Sequence, residues 1–552
     1  MASDRRRWFG LAMLSLGVAL IIMDATIVNV AIPSIIRDLG IQLVDAEWIT
    51  TIYSLVFAAL LITVGRIGDQ YGRKHLFHAG LAIFMLASLL AGRAPSGIAL
   101  VGARSLQGVG AAMILPSTLS IVNATFRGRD RAIAFGVWGS VIGGMAAIGP
   151  LVGGWLTTDF SWRWAFYINI PIGIFVLIGS TLWINDSRDD TVQRGFDPGG
   201  IVTVSLGLLG LIFGLIEGSR YGWWTPTKPF SIGSWSWPTE SVSPVVPALA
   251  IALVGVALFV SIEKRRTAAG KAVLFKLELF RLSSFSNGNV TAAILSLGEL
   301  GLIFILPLFL QAVLGYTALR TGVLFAALAA GAFVGGPSAA ALAHRFGPRR
   351  VVTTGMGIEA LSIATLAILI SPTVRGWSLA PVLFIYGIGV GLATAQLTSV
   401  ILGEVPPADS GQASGMQSTF RQVGSALGIA LIGTLLAVNL GTLTEDELGS
   451  VAFLPEIARS GIADAVSASA GQLLPALRAG SFPVVGDMPP MEFEAGTLDP
   501  VITAIENAFA QSASRAAFTA SLFVLFGFLL SFRIPELDFD AEDRALPESD
   551  SG

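Results

Sequence analysis

Polar and apolar positions in this chain are segregated on a scale of about 20 residues, the length that crosses a bilayer as a helix. Apolar runs fall at 8–36, 48–67, 76–92, 97–124, 131–157, 164–184, 199–217, 245–262, 284–314, 320–343, 351–371, 378–403, 410–439 and 512–532. Fourteen runs predict fourteen membrane helices, and an even number places both chain ends on one side. The charges between the runs indicate which side. With the N-terminus inside, the inner segments hold twenty-two Lys and Arg, among them Arg5–Arg7, Lys264–Arg266, Arg349 and Arg350, and the outer segments hold ten. The positive-inside rule therefore predicts that both termini are cytoplasmic. Tryptophans such as Trp8, Trp48, Trp162, Trp164, Trp183, Trp223 and Trp377 fall at run ends or in loops, as an interfacial belt requires.

Composition agrees with this reading: 53% of residues are hydrophobic and 13% charged, against about 25% charged in a soluble domain. The mean hydropathy is +0.73. The fold class expected is all-α and polytopic. The net charge of -3 says little about partners, because the charges sit in loops. With no cysteine there is no disulfide, thiolate metal site or iron–sulfur cluster to expect. Met1–Arg7 is short and basic, and the run behind it is too long for a signal peptide, so it reads as a retained first span. The outer segment 441–511 mixes amphipathic stretches such as 462–477 with the Pro/Gly-rich 482–491, and reads either as a small cap or as a long linker. The tail 534–552 is acidic and is expected to be disordered and cytoplasmic.

A few ionisable residues lie inside the runs, where a charge costs at least ~2.5 kcal/mol and is usually functional. Asp24 lies in the uninterrupted stretch 11–33, about 16 Å from the outer helix end at ~1.5 Å per residue. The plainer alternative is an acid near a helix end that snorkels to water. Arg104 enters from outside and lies at a similar depth, about 10 Å down by helical rise. A buried guanidinium needs an acceptor, and Asp24 is a candidate. A change that weakens their contact would load a proton and one that restores it would release it; the alternative is a static ion pair. Glu299 and Arg421 lie near mid-depth of spans nine and thirteen, and Arg421 can pair with Glu299 or with an anionic substrate group. His75, His78 and His344 lie at the inner boundary without metal-ligand spacing. No phosphate-binding P-loop is present, which excludes an ATP-driven pump.

The chain also repeats itself. Gly65–Lys74, GRIGDQYGRK, aligns with Ala340–Arg349, and Gly136, Gly149 and Gly154 match Gly415, Gly428 and Gly433 at one constant offset. Spans one to six and nine to fourteen thus form two related halves, with two helices inserted between them. Repeats of this kind place a substrate site near the bilayer midplane at their interface. The divisions expected are 8–190, 191–283 and 284–533, followed by the tail.

GRIGDQYGRK resembles the loop motif of the major facilitator superfamily, ARSLQGVGAA at 103–112 its fourth-helix motif, and GMAAIGPLVGG at 144–154 the antiporter motif of its fifth helix. MDATIVNVAIP at 23–33, WRWAFYINIP at 162–171 and RQVGSALGIA at 421–430 are similar to the fourteen-span drug:proton antiporter subfamily. Gln70 and His344 depart from the loop pattern, so only the first copy carries the full charge latch. The resemblance implies the major facilitator fold, two six-helix halves plus two inserted helices, and proton-coupled efflux of hydrophobic, cationic drugs across the cytoplasmic membrane by alternating access. It assigns proton coupling to Asp24 and Arg104. The substrate cavity is expected to carry Asn29, Gln107, Glu299, Gln417 and Arg421. The gating loop comprises Gly65, Asp69, Gly72, Arg73 and Lys74, with Asp69 facing a neighbouring helix N-terminus and paired with Arg73 and Lys74. The antiporter motif contributes Gly149, Pro150, Gly153 and Gly154. The bland readings are a basic loop that only sets topology and a glycine face that only packs. A peripheral eleventh span gives Glu359 a structural role. No enzyme activity, metal, cofactor or nucleic-acid partner is expected; the partners are protons, lipid and a small hydrophobic substrate, on a monomer driven by the proton gradient. An exporter or flippase of a lipid or endogenous metabolite, and a sensor without net transport, are the alternatives: Asp24 and Glu299 suit cationic cargo, Arg104 and Arg421 anionic head groups.

Overall fold

The computed structural model describes residues 2–41, 43–184, 195, 197–232, 235–238, 240–451, 454–469, 471, 473–479, 481–482, 491–492 and 498–536. The acidic tail beyond Glu536, most of 482–491, and the side chains of Asn29 and Pro150 lie outside the described residues. The first half comprises α1 Ala2–Leu39, α2 Leu43–Tyr71, α3 Arg73–Gly92, α4 Gly97–Thr125, α5 Gly128–Asp159, the single turn α6 Trp164–Tyr167 and α7 Asn169–Trp183. Next come α8 Pro198–Tyr221 and α9 Val245–Ala268. The second half holds α10 Ser283–Ala312, α11 Ala318–Phe346, α12 Pro348–Leu369, α13 Ala380–Gly403, α14 Ser410–Leu448, α15 Glu456–Ala468, α16 Leu474–Arg478 and α17 Asp499–Ser531. Two two-residue strand pairs, Ser231–Ile232 with Trp235–Ser236 and Ser481–Phe482 with Met491–Glu492, pin loops only.

Among the described residues thirteen segments are helical, long and apolar enough to cross a membrane. The run at 131–157 corresponds to α5, which is 32 residues long and packs between α1 and α11. Local chemistry sets the helix starts. The Ser96, Asp197 and Thr317 side chains accept from Ala99, Gly200 and Arg320 N–H groups, capping α4, α8 and α11. Gly72 and Gly347, equivalent positions of the repeat, precede α3 and α12 with φ of 105° and 85°, which a side chain rarely permits.

In the first half α1 packs on α5 and α7, α2 on α4, and α3 on α4; in the second, α10 packs on α14 and α17, α12 on α13 and α17, and α11 on α13. The halves meet where α5 lies against α11 and α13, and α2 and α4 against α14. The inserted helices pair with each other, and α8 leans on α2 and α14. Helix α9 turns Ile251, Leu253, Val254, Val256 and Leu258 outward, an exposed apolar face that requires hydrocarbon around it.

The segment 441–511 departs from the expected boundaries. Helix α14 runs on to Leu448, burying Leu440, Thr444 and Leu448 at a spacing of four, and α17 begins at Asp499 with Val501, Ala504, Ile505 and Ala508 buried. Between them α15 docks on α14 through Ser467 Oγ, which donates to the Ala437 carbonyl at 2.8 Å. Arg478 of α16 donates to Glu506 of α17 at 2.7 Å. Of the two readings of this segment, the described part is a packed cap of the second half.

Candidate functional site

Asp24 is fully buried in α1, and its carboxylate is the centre of a polar network drawn from five helices. Arg104 and Gln107, one turn apart on α4, share one helix face. Arg104 Nη1 donates to Asp24 Oδ2 at 2.5 Å and to Gln107 Oε1 at 2.8 Å, and its Nε donates to the Ile49 carbonyl at 3.1 Å. Gln107 Nε2 donates to Asp24 Oδ1 at 3.1 Å and to Ser88 Oγ at 2.8 Å. Asn169, at the start of α7, donates to Asp24 Oδ1 at 2.7 Å and to Ser88 Oγ at 3.2 Å. The Tyr53 ring of α2 lies 4.2 Å from the guanidinium carbon. Two desolvated charges are tolerable when paired and hydrogen-bonded in this way, while Asn169 Oδ1 is buried without a hydrogen-bond partner among the described residues. Asp24 is thus the common acceptor for Arg104, Gln107 and Asn169.

The antiporter-motif glycines bear on this network. A Cβ at Gly149 would lie 1.8 Å from Thr26 Oγ1, and one at Gly153 would lie 3.1 Å from Ile27 Cα. Helix α5 therefore rests directly on the turn of α1 that follows Asp24, while Gly154 is half-buried.

A second constellation occupies the other half. Arg421 Nη2 of α14 lies 3.6 Å from Glu299 Oε2 of α10, and Thr394 Oγ1 of α13 donates to Glu299 Oε1 at 3.5 Å. Gln417 donates through Nε2 to Thr398 Oγ1 at 3.0 Å. Arg421 Nη1, Gln417 Oε1 and both amide atoms of Gln396 are buried without a hydrogen-bond partner among the described residues. Glu359 belongs with this group: it is fully buried, neither carboxyl oxygen has a hydrogen-bond partner among the described residues, and Glu299 and Arg421 act on it electrostatically.

The loop 65–74 expected to gate sits where the halves meet, on the face that carries the chain termini. Asp69 Oδ1 and Oδ2 accept from the Gly411 and Gln412 N–H groups at 2.8 and 2.9 Å, the N-terminus of α14. Arg73 donates to Asp69 Oδ1 through Nε and Nη2, at 3.2 and 2.8 Å. Gly65 lets the backbones touch, since a Cβ there would lie 2.3 Å from the Gly411 carbonyl oxygen. Lys74 lies apart from this cluster: its Nζ donates to the Thr181 and Ile184 carbonyls at 3.1 and 2.7 Å, closing the end of α7. Asn123 Nδ2 adds a bond to Ser410 Oγ at 2.8 Å.

The sequence reading left out Asn169 and Ser88, which complete the Asp24 shell. Asn169 lies inside the WRWAFYINIP motif, where an amide in an apolar run was the available signal.

With two related halves, a buried charged cluster in each and a motif contact joining them, comparison with known proteins settles the lineage. The profile of the Major Facilitator Superfamily matches residues 14–429. The chain belongs to the major facilitator superfamily. This superfamily member is 31% identical over 500 residues to the tetracenomycin C resistance and export protein of Streptomyces glaucescens, covering 90% of this chain and 86% of that one. It is also 31% identical over 482 residues to the multidrug efflux pump LfrA of Mycolicibacterium smegmatis, covering 86% and 91%. Among solved structures, the human organic anion transporter MFSD10 (TETRAN) superposes with a TM-score of 0.58 over 95% of this chain and 99% of that chain, at 13% identity, which supports the shared fold.

Proposed function

We propose that this major facilitator protein exports hydrophobic small molecules, drugs or toxic compounds, in exchange for protons. It works in the cytoplasmic membrane with both termini inside, as a monomer without a cofactor. The observation that carries the proposal is the buried, hydrogen-bonded Asp24–Arg104 pair of α1 and α4, with the α5 glycines against the turn of α1 that follows Asp24. A carboxylate with one guanidinium partner, placed at mid-membrane in a chain whose halves can rock, converts proton binding into a change of helix contact. The names of its relatives, a resistance and export protein and a multidrug efflux pump, support the cargo class.

The test is proton efflux from proteoliposomes loaded acid inside, with ethidium added to the wild type and to Asp24→Asn. Ethidium-triggered efflux in the wild type alone is expected; equal efflux in the variant overturns the coupling role of Asp24. One observation favours a second reading of the cargo. Asp24 and Arg104 neutralise each other, Glu299 is almost wholly buried, and Arg421 keeps an Nη1 that has no hydrogen-bond partner among the described residues. That donor suits cargo bearing an acceptor or anionic group, so an anionic amphiphile belongs beside ethidium, and loss of its transport alone in Arg421→Gln supports this reading.

A further inference from the structure

On the face proposed to be cytoplasmic, a pocket of about 730 Å³ opens between the end of α2, the end of α9, the connection from α9 to α10 and the turn before α14. That volume lies in the range of small-molecule sites, roughly 300–1,000 Å³. Its walls carry Arg66, Lys264, Lys271, Lys276 and Arg281 against Glu278 and Asp409, an excess of cations. Asp409 is already engaged: its Oδ1 lies 2.8 Å from Lys276 Nζ and accepts from Gln412 Nε2 at 2.6 Å. Lys264, Lys271 and Arg281 are exposed and have no ion pair or hydrogen bond among the described residues. A basic rim that only sets topology needs no concavity, whereas here the cations converge on one.

The pocket is wired to the latch. The Lys276 N–H donates to Gln412 Oε1 at 2.7 Å, and the Gln412 N–H donates to Asp69 Oδ2 at 2.9 Å. Arg66 comes from the first half, Asp409 from the second, and Lys276 from the inserted connection between α9 and α10, which its bonds to Asp409 and Gln412 fasten to the second half. We propose that this pocket binds a phosphate-bearing anion, a lipid headgroup or a free phosphate compound, which bridges Arg66 to the basic connection and holds the cytoplasmic face closed. Multivalent phosphate is the chemistry that several converging ammonium and guanidinium groups recognise. Because the walls come from both halves, the ligand binds the closed form better and shifts the population toward it.

The proposal rests on the alternating-access reading, but its test needs no cargo, so the two can fail separately. The native sequence has no cysteine, so spin labels at Arg127→Cys and Arg345→Cys report the distance between the inner ends of α5 and α11. In phosphatidylcholine nanodiscs, inorganic pyrophosphate is titrated in one arm and phosphatidylglycerol is added to the bilayer in the other. The short-distance population is expected to grow in at least one arm. A response to pyrophosphate alone identifies a soluble anion, and a response to phosphatidylglycerol alone a headgroup. In Lys264→Gln/Lys271→Gln/Arg281→Gln the half-maximal anion level is expected to rise roughly tenfold, and Lys271→Arg should respond as the wild type. No response in either arm, or the same half-maximum in the triple variant, overturns the proposal. Should the triple variant not fold, Lys271→Gln alone, on an exposed turn, carries the same comparison.

Discussion

Removing one member of a buried ion pair leaves the other charged and dry, which typically costs about 3–5 kcal/mol, whereas replacing both by apolar groups is often neutral. Asp24→Asn is therefore expected to lower thermal stability in detergent, and Asp24→Leu/Arg104→Leu to recover most of it while remaining unable to couple protons to transport. Equal stability of the wild type and Asp24→Asn would show that Gln107, Ile49 and Tyr53 satisfy Arg104 unaided. Glu359 poses the reverse case. Its carboxyl oxygens have no hydrogen-bond partners among the described residues, so Glu359→Leu is expected to raise stability by about 1 kcal/mol or more, read as a higher unfolding temperature. A fall would reveal hydrogen bonds that form in solution. Legibility at this scale follows cost. Asp24 and Arg104 stood out because a charge in an apolar run is expensive; Asn169 and Ser88 did not, because neutral polar side chains cost little in a helix and are common there. Glu359 carried the same signal as Asp24 and was assigned a structural role only because its helix counts as peripheral in the family.

At the level of elements, the contact between α2 and α14 is an acid on a helix N-terminus, reinforced by Arg73. Such contacts contribute up to ~2 kcal/mol when partly buried, so Asp69→Asn should shift the ratio of closed to open inner face by roughly tenfold or more. Label distances across that face check this, with cargo affinity in the closed form unchanged. At the outer end of α1, hydrogen bonds from Arg163 and from Trp162 hold the Asp38 carboxyl below the ordinary carboxylate range. A depressed pKa means that the link is fully present above the ordinary value of 3.8 and is lost as pH falls through the lowered one. Labels on α1 and the 160–163 turn should therefore stay together from neutral pH down to about 5 and separate only in stronger acid. In Asp38→Asn their separation should not change with pH. Most helices were legible because an apolar run needs a helix in hydrocarbon. The extensions of α14 and α17 were not: outside the membrane their register is an amphipathic pattern, 440–448 and 499–511, that hydropathy windows average away.

For the whole molecule, repeat, positive-φ glycines and contact pattern agree: Gly72 and Gly347 turn equivalent loops, and α5 and α14, the helices related by the constant glycine offset, both cross to the opposite half. That pairing was readable from the sequence, whereas the sequence left cap and linker as equal readings of 441–511, because nothing in a polar, Pro/Gly-rich segment states what it packs on. The structure gives it a body. Ile462, Val466, Leu474, Leu477, Val501 and Ile505 are buried, and Gln511 Nε2 donates to Glu447 Oε1 at 2.9 Å, joining α17 to the end of α14. Among the described residues these contacts lie within the second half, so they stabilise that half. Replacing 452–497 by a short Gly/Ser linker should therefore expose the buried faces of α14 and α17 and lower the unfolding temperature, while ethidium-triggered proton efflux per folded molecule persists. Loss of efflux from protein that remains folded would instead place the cap on the path by which cargo leaves, and would tie its packing to the outer gate.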